Sequence, residues 1–150
     1  MGCDYSDFEA LLESLQDLER NIDEFIEDCA KELAARLLAK VIRRTPVGKY
    51  PHNCGKKGGT LQRGWTGNAK SNAASYVSSL AVNKNGNSYV IEIINPVNYA
   101  SYVEFGHRKR GGKGWKEGVF MLTISEEEIN ASAPSILENK IKKELGKVFK

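Results

Sequence analysis

Residues 95–108 read N-P-V-N-Y-A-S-Y-V-E-F-G-H-R, and the fold turns on what this stretch does. Upstream lies an apolar run dominated by Val90, Ile91, Ile93 and Ile94; downstream come a Gly/Lys/Arg-rich loop and a second apolar run over residues 119–124. Pro96 has no N–H and a fixed φ, so a strand passing through Ile94 should end near Asn95. Tyr99, Tyr102 and Phe105 follow at intervals of three, which suits one face of a helical turn better than a strand. The stretch reads as a corner. Its three aromatics are expected to anchor a short turn on the core, while Glu104, His107, Arg108, Lys109 and Arg110 face outward to be joined.

Towards the N-terminus, residues 6–43 read as helix. Phe8, Leu11, Leu15, Leu18, Ile22, Phe25 and Cys29 recur at three and four, and Leu33, Leu37 and Val41 extend the stripe with a shift in phase. Ser6-Asp7-Phe8-Glu9 and Asn21-Ile22-Asp23-Glu24 are both capping-box patterns, so the helix is expected to divide near Asn21. Thr45-Pro46 ends it, because the residue before proline is pushed out of the α region. A basic, glycine-rich loop over about 47–59 follows, then T-L-Q-R-G-W at 60–65, with Leu61 and Trp65 as anchors.

Around the corner, residues 76–82 and 88–94 read as strands flanking Asn83-Lys84-Asn85-Gly86-Asn87, where Asn-Gly is a hairpin signal. Residues 119–124 read as a third strand, and residues 107–118 as a second flexible loop. Acids at Glu126, Glu127 and Glu128 suit a helix start, expected to be a short turn to about residue 130. A closing lysine-rich helix is expected from Pro134. The sum is an α+β domain spanning 1–150. A long N-terminal helix packs on a small antiparallel sheet of three or four strands, with a C-terminal helix to close.

At 150 residues such a domain buries about 70% of its unfolded surface. Its net charge is +3, but the charge is polarised: acids crowd the first helix, whereas residues 43–70 hold none against Arg43, Arg44, Lys49, Lys56, Lys57, Arg63 and Lys70. That pattern fits a molecule meeting different partners at its two ends, or copies of itself. The three cysteines, at 3, 29 and 54, show no CxxC pair, and Cys29 reads as a small buried residue. No metal set is expected. Neither a signal peptide nor a membrane-length apolar run is read.

Catalytic candidates are thin. Glu104 and His107 make a conceivable acid–base pair, but no serine or cysteine nucleophile stands at a known motif spacing. Glu104 reads better as pairing with a cation or capping backbone at a subunit contact. The glycines form no phosphate-binding P-loop. No catalysis and no cofactor is the reading. The basic loops, with Lys49, Lys56, Lys57, Arg63, Arg108, Lys109, Arg110, Lys113 and Lys116 and with Trp65 and Trp115 near in sequence, leave a small nucleic-acid-binding protein as the alternative.

Four blocks in order resemble the tail-component family of siphophages and prophages, described as tail-completion or head–tail joining neck proteins. They are the long helix ending in Arg44-Thr45-Pro46-Val47; the Gly59–Trp65 block; the Tyr99-Ala100-x-Tyr102-Val103-Glu104-Phe105-Gly106 core with its flanks; and Phe120-Met121-Leu122-Thr123 leading into the acidic turn and last helix. The resemblance implies a virion protein assembled in the bacterial cytoplasm, forming a ring commonly taken to be hexameric, with DNA passing through its lumen unread. Its partners would be other copies, connector or stopper proteins, and tail-terminator or tail-tube proteins, with no membrane. Tyr99, Tyr102, Glu104, Phe105, His107, Arg108, Lys109 and Arg110 would form the assembly interface.

Overall fold

The computed structural model describes residues 4–149; Cys3 lies outside them. Two helices open the chain, α1 (Ser6–Arg20) and α2 (Ile22–Arg44), with the break at Asn21 where the second capping pattern lies. Neither capping box forms its side-chain bond; the Ser6 N–H instead donates to Asp4 Oδ1 at 2.9 Å, inside the first turn. Thr45 is extended (φ −66°, ψ 123°), and α2 stops there as the following proline requires. A 3-10 turn, His52–Cys54, then leads to α3 (Thr60–Gly64) and α4 (Ala73–Ser78).

Two ribbons supply the strands. In the first, β1 (Asn83–Asn85) pairs antiparallel with β2 (Ser88–Val90), Asn85 opposite Ser88, so Gly86 and Asn87 make the turn with Gly86 at φ +60°. In the second, β3 (Gly106–Arg108) pairs with β4 (Trp115–Glu117), Arg108 opposite Trp115. Between them stands α5 (Ala100–Phe105), and α6 (Met121–Val148) closes the chain. The α+β class holds, with long helices at both ends and four antiparallel strands, divided into two ribbons.

Several expected elements are placed differently. Residues 76–82 are not a strand: α4 forms because Asn72 Oδ1 accepts from Ser75 N–H at 2.8 Å, and the helix carries Val77 into the core. Burial outweighs the modest β-preference of Tyr and Val. Residues 119–124 are not a strand either, since Phe120 turns left-handed (φ 51°, ψ 42°) and α6 begins at Met121. Pro134 does not start a helix but lies inside α6, although it withholds a donor from the Asn130 carbonyl. Contacts on both sides of it hold the helix: Glu128 with Lys40 and Arg44, and Lys140 with Glu32 at 3.0 Å.

The core collects Ala34, Leu38 and Val41 of α2, Leu61, Trp65, Val77 and Met121. Trp65, 4% exposed, donates its indole N–H to Thr45 Oγ1 at 2.9 Å, and that hydroxyl donates to the Val41 carbonyl at 2.7 Å. The polar end of the largest core residue is thereby satisfied at the stop of α2. The strand expected to run to Asn95 stops at Val90, because residues 91–97 cross the core without a strand partner, Ile91, Ile93 and Val97 facing in and Glu92 and Ile94 facing out. Asn95 ties the segment to α3 by donating from Nδ2 to the Leu61 carbonyl at 2.9 Å. The approach leaves no room at Gly64, where a Cβ would sit 2.3 Å from Asn95 Oδ1. The first ribbon is fixed to α2 through Asp23, which accepts from Lys84 Nζ at 2.9 Å and from the Tyr89 hydroxyl.

Candidate functional site

Helix α5 divides the predicted interface between inside and outside. Ala100, Val103 and Glu104 turn inward, whereas Tyr102 (59% exposed) and Phe105 (60% exposed) point to solvent, and Tyr99 is exposed at the N-terminal end. The aromatics therefore do not anchor the turn on the core, as their spacing suggests; they form a ridge. What holds α5 down is the backbone and Glu104.

Glu104 is buried, 5% exposed, which corrects the expectation that it faces outward. Its carboxylate accepts from the backbone N–H of Leu122 and Thr123, both at 2.9 Å, and from Thr123 Oγ1 at 2.7 Å. Phe120, at the cap position of α6, supplies no side-chain bond. Glu104 does that work from another element, satisfying two of the orphan donors and placing negative charge at the helix N-terminus. Two backbone bonds complete the clasp, Val119 N–H to the Val103 carbonyl (2.8 Å) and Phe120 N–H to the Glu104 carbonyl (3.1 Å). Capping backbone was one of the two roles read for Glu104; the partner is its own chain.

Past the ridge, Gly106 takes φ +88°, and a Cβ there would meet the Lys116 carbonyl oxygen at 2.5 Å. Only glycine allows β4 to lie so close against the end of α5. Where a loop is expected, residues 106–117 thus form the second ribbon, whose tip closes with Lys109 N–H donating to the Gly114 carbonyl at 3.0 Å. Arg108, Lys109 and Arg110 are exposed on it. His107 is half-buried, its ring edge-on to Tyr102 with centroids 5.9 Å apart, and its Nδ1 has no hydrogen-bond partner among the described residues. Phe105 meets Phe120 in the same manner at 6.4 Å.

The structure brings the basic loop to this ridge. A surface cavity of about 320 Å³ is walled by Val47, Tyr50 and Lys57 of the loop, Leu61 of α3, Tyr99 at the cap of α5, Val103 of α5 and Lys116 of β4. Lys49, Lys56 and Lys57 are exposed; Arg63 bends back to donate to the Gly58 carbonyl at 3.1 Å and steadies the loop's end. Val47, Tyr50 and Phe120 join the face without having been singled out for it, and Lys116 joins it from the second basic loop. An aromatic inside an acid-free basic loop, as at Tyr50, is the one signal that could have found them.

Glu104 is engaged by the start of α6, and among the described residues no three His, Cys, Asp or Glu side chains converge as a metal set. Cys29 is buried, and burial pushes its thiol pKa up, away from a reactive thiolate; Cys54 is exposed. No helix among the described residues is long and apolar enough to cross a membrane. The family model described as "Bacteriophage HK97-gp10, putative tail-component" matches residues 9–106, from within α1 to the start of β3. No curated protein and no solved structure matches the chain.

Proposed function

The chain belongs to the HK97-gp10-like family of bacteriophage proteins, and on that premise we propose that it is a non-catalytic structural component of the virion, a ring-forming tail-completion protein at the neck where tail and capsid connector join. One observation carries the reading: Tyr99, Tyr102 and Phe105 form an unburied aromatic ridge on a helix that Glu104 and Gly106 hold rigidly in place. Exposed large aromatics on a fixed frame, rimmed by Arg108, Lys109 and Arg110, have the composition of a protein–protein interface. The partners in this reading are further copies of the chain, connector or stopper proteins on one side and tail-terminator or tail-tube proteins on the other. Genomic DNA passes through the lumen without sequence readout.

Sedimentation velocity over a range of concentrations, with and without connector or tail-tube protein, tests this. The wild type is expected to form a larger species alone or on a partner, and the Tyr102→Ala/Phe105→Ala double variant to lose it while keeping its thermal midpoint. A chain that stays monomeric and ignores both partners sinks the proposal.

The nucleic-acid-binding alternative rests on the acid-free segment 43–70 and the exposed lysines of the loop. Micromolar affinity for DNA with a steep salt slope, in the absence of any assembly, would favour it instead.

A further inference from the structure

Helix α1 buries none of its residues. Leu11 and Leu18 are half-buried, and Leu11 shares a cleft with Val148 and Phe149 where α1 meets the end of α6. A second apolar row, Tyr5, Phe8, Leu12 and Leu15, is exposed, and its spacing of three, four and three puts it on one face of the helix. Glu9 and Glu19 lie on or beside that face, with Glu13 one turn on from Glu9. The two rows adjoin as one wide apolar stripe, and its outer half is left without a partner among the described residues.

The cavity between the basic loop and α5 is the complementary feature. Its walls combine the apolar Val47, Tyr50, Leu61 and Tyr99 with Lys57 and Lys116, and Lys49 and Lys56 stand exposed on the same loop. About 320 Å³ is room for the side chains of one helical turn rather than for a whole helix. Moreover, the charges on both features are unspent: among the described residues neither Glu9, Glu13 and Glu19 nor Lys49, Lys56 and Lys57 enters an ion pair.

We propose that the outer face of α1 docks on the loop–α5 cavity of a second copy of the chain, Phe8 and Leu12 entering the cavity and Glu9, Glu13 and Glu19 meeting Lys49, Lys56 and Lys57. Donor and acceptor are different surfaces of one molecule, so the contact is heterologous and leaves the pair with one free donor, on one copy, and one free acceptor, on the other; repeated, it closes into a ring when the rotation permits. This assigns the subunit–subunit contact within the ring reading and rests on it.

Charge exchange tests the contact. Sedimentation compares the wild type, Glu9→Lys/Glu13→Lys/Glu19→Lys, Lys49→Glu/Lys56→Glu/Lys57→Glu, and an equimolar mixture of the two variants, each with and without the tail-tube protein as scaffold. All six positions are exposed, so unchanged thermal midpoints are expected. Each variant alone should self-associate roughly tenfold or more weakly, because like charges face each other across the contact. The mixture should recover, since each α1 then meets a loop of opposite sign. Phe8→Ala, which alters no charge, should weaken assembly in the same assay. Variants that assemble like the wild type, or a mixture that fails to recover, overturn this contact and leave the ring standing. A wild type that never self-associates, even on the scaffold, overturns both. Loss of tail-tube binding with intact self-association assigns α1 to a foreign partner and overturns the proposal.

Discussion

Two aromatic-bearing corners, around Trp65 and around Phe105, are built from the same kinds of parts and end up opposite. At the first, the helix stop Thr45-Pro46 supplies a hydroxyl that the indole N–H can reach, and Leu38, Val41 and Met121 close over the ring. At the second, the short helix is pinned through Val103 and Glu104, and its aromatic face is left outside. The difference teaches that burial follows the residue that finds a polar partner as well as a hydrophobic one. Glu104, with three donors waiting at the start of α6, goes in; Tyr102 and Phe105 stay out.

The sharpest way to break that contrast is to truncate both rings. Trp65→Ala should destabilise the monomer by about 3–5 kcal/mol, through lost burial and a cavity, whereas Phe105→Ala should change stability by less than about 0.5 kcal/mol, as an exposed site does. Denaturant titration of both variants checks this; equal losses would erase the distinction.

Glu104 comes next. Glu104→Ala strips the cap from α6 and leaves the Leu122 and Thr123 N–H groups unpaired, a loss of about 2 kcal/mol. For a domain of this size that corresponds to a fall in thermal midpoint of about 4–8 °C. Glu104→Gln retains an acceptor and should lose less. A stable Glu104→Ala protein would show that backbone contacts alone hold the clasp.

The smallest expected effect is that of acid. Lys40 and then Arg44 hold the Glu128 carboxyl below its ordinary pKa; Arg36 and Lys140 do the same for Glu32, and the Tyr89 hydroxyl and Lys84 for Asp23. A carboxylate whose folded pKa is lowered stabilises the fold fully above its unfolded value, about 4, and loses that contribution as pH falls through the folded value. The thermal midpoint should therefore hold steady down to about pH 5 and decline below it. Glu128→Gln should flatten part of the decline, modestly because the site is open to solvent. A midpoint indifferent to acid would remove these ties between α2, α6 and the first ribbon from the account.

Much of this was legible in the chain. The 3.6-residue period marked α1 and α2, and the Asn21 pattern marked their division even though its capping bond does not form. Pro46 marked the stop, Asn85-Gly86 the hairpin and Trp65 its anchoring role. Of the set expected to face outward, Arg108, Lys109 and Arg110 are exposed, whereas His107 is half-buried and Glu104 buried. Periodicity failed where two faces competed. The three-residue spacing of Tyr99, Tyr102 and Phe105 correctly indicated a helical turn but not which side would be buried. Residues 76–82 and 119–124 carry β-type residues, yet the Asn72 cap and the distant carboxylate of Glu104 draw 76–78 and 121–124 into helix.

By itself, then, the sequence determined the local grammar: where α1 and α2 run, where Pro46 stops them, where glycine turns the chain, and how charge divides between the acidic first helix and the basic loop. These depend on neighbours a few residues apart, whose sterics and hydrogen bonds act whatever the rest of the chain does. Tertiary structure alone decided the direction of α5, the start of α6 and the meeting of the basic loop with Tyr99. Each of those hangs on a contact between distant segments, and a buried carboxylate takes whichever orphan donors the fold sets in front of it.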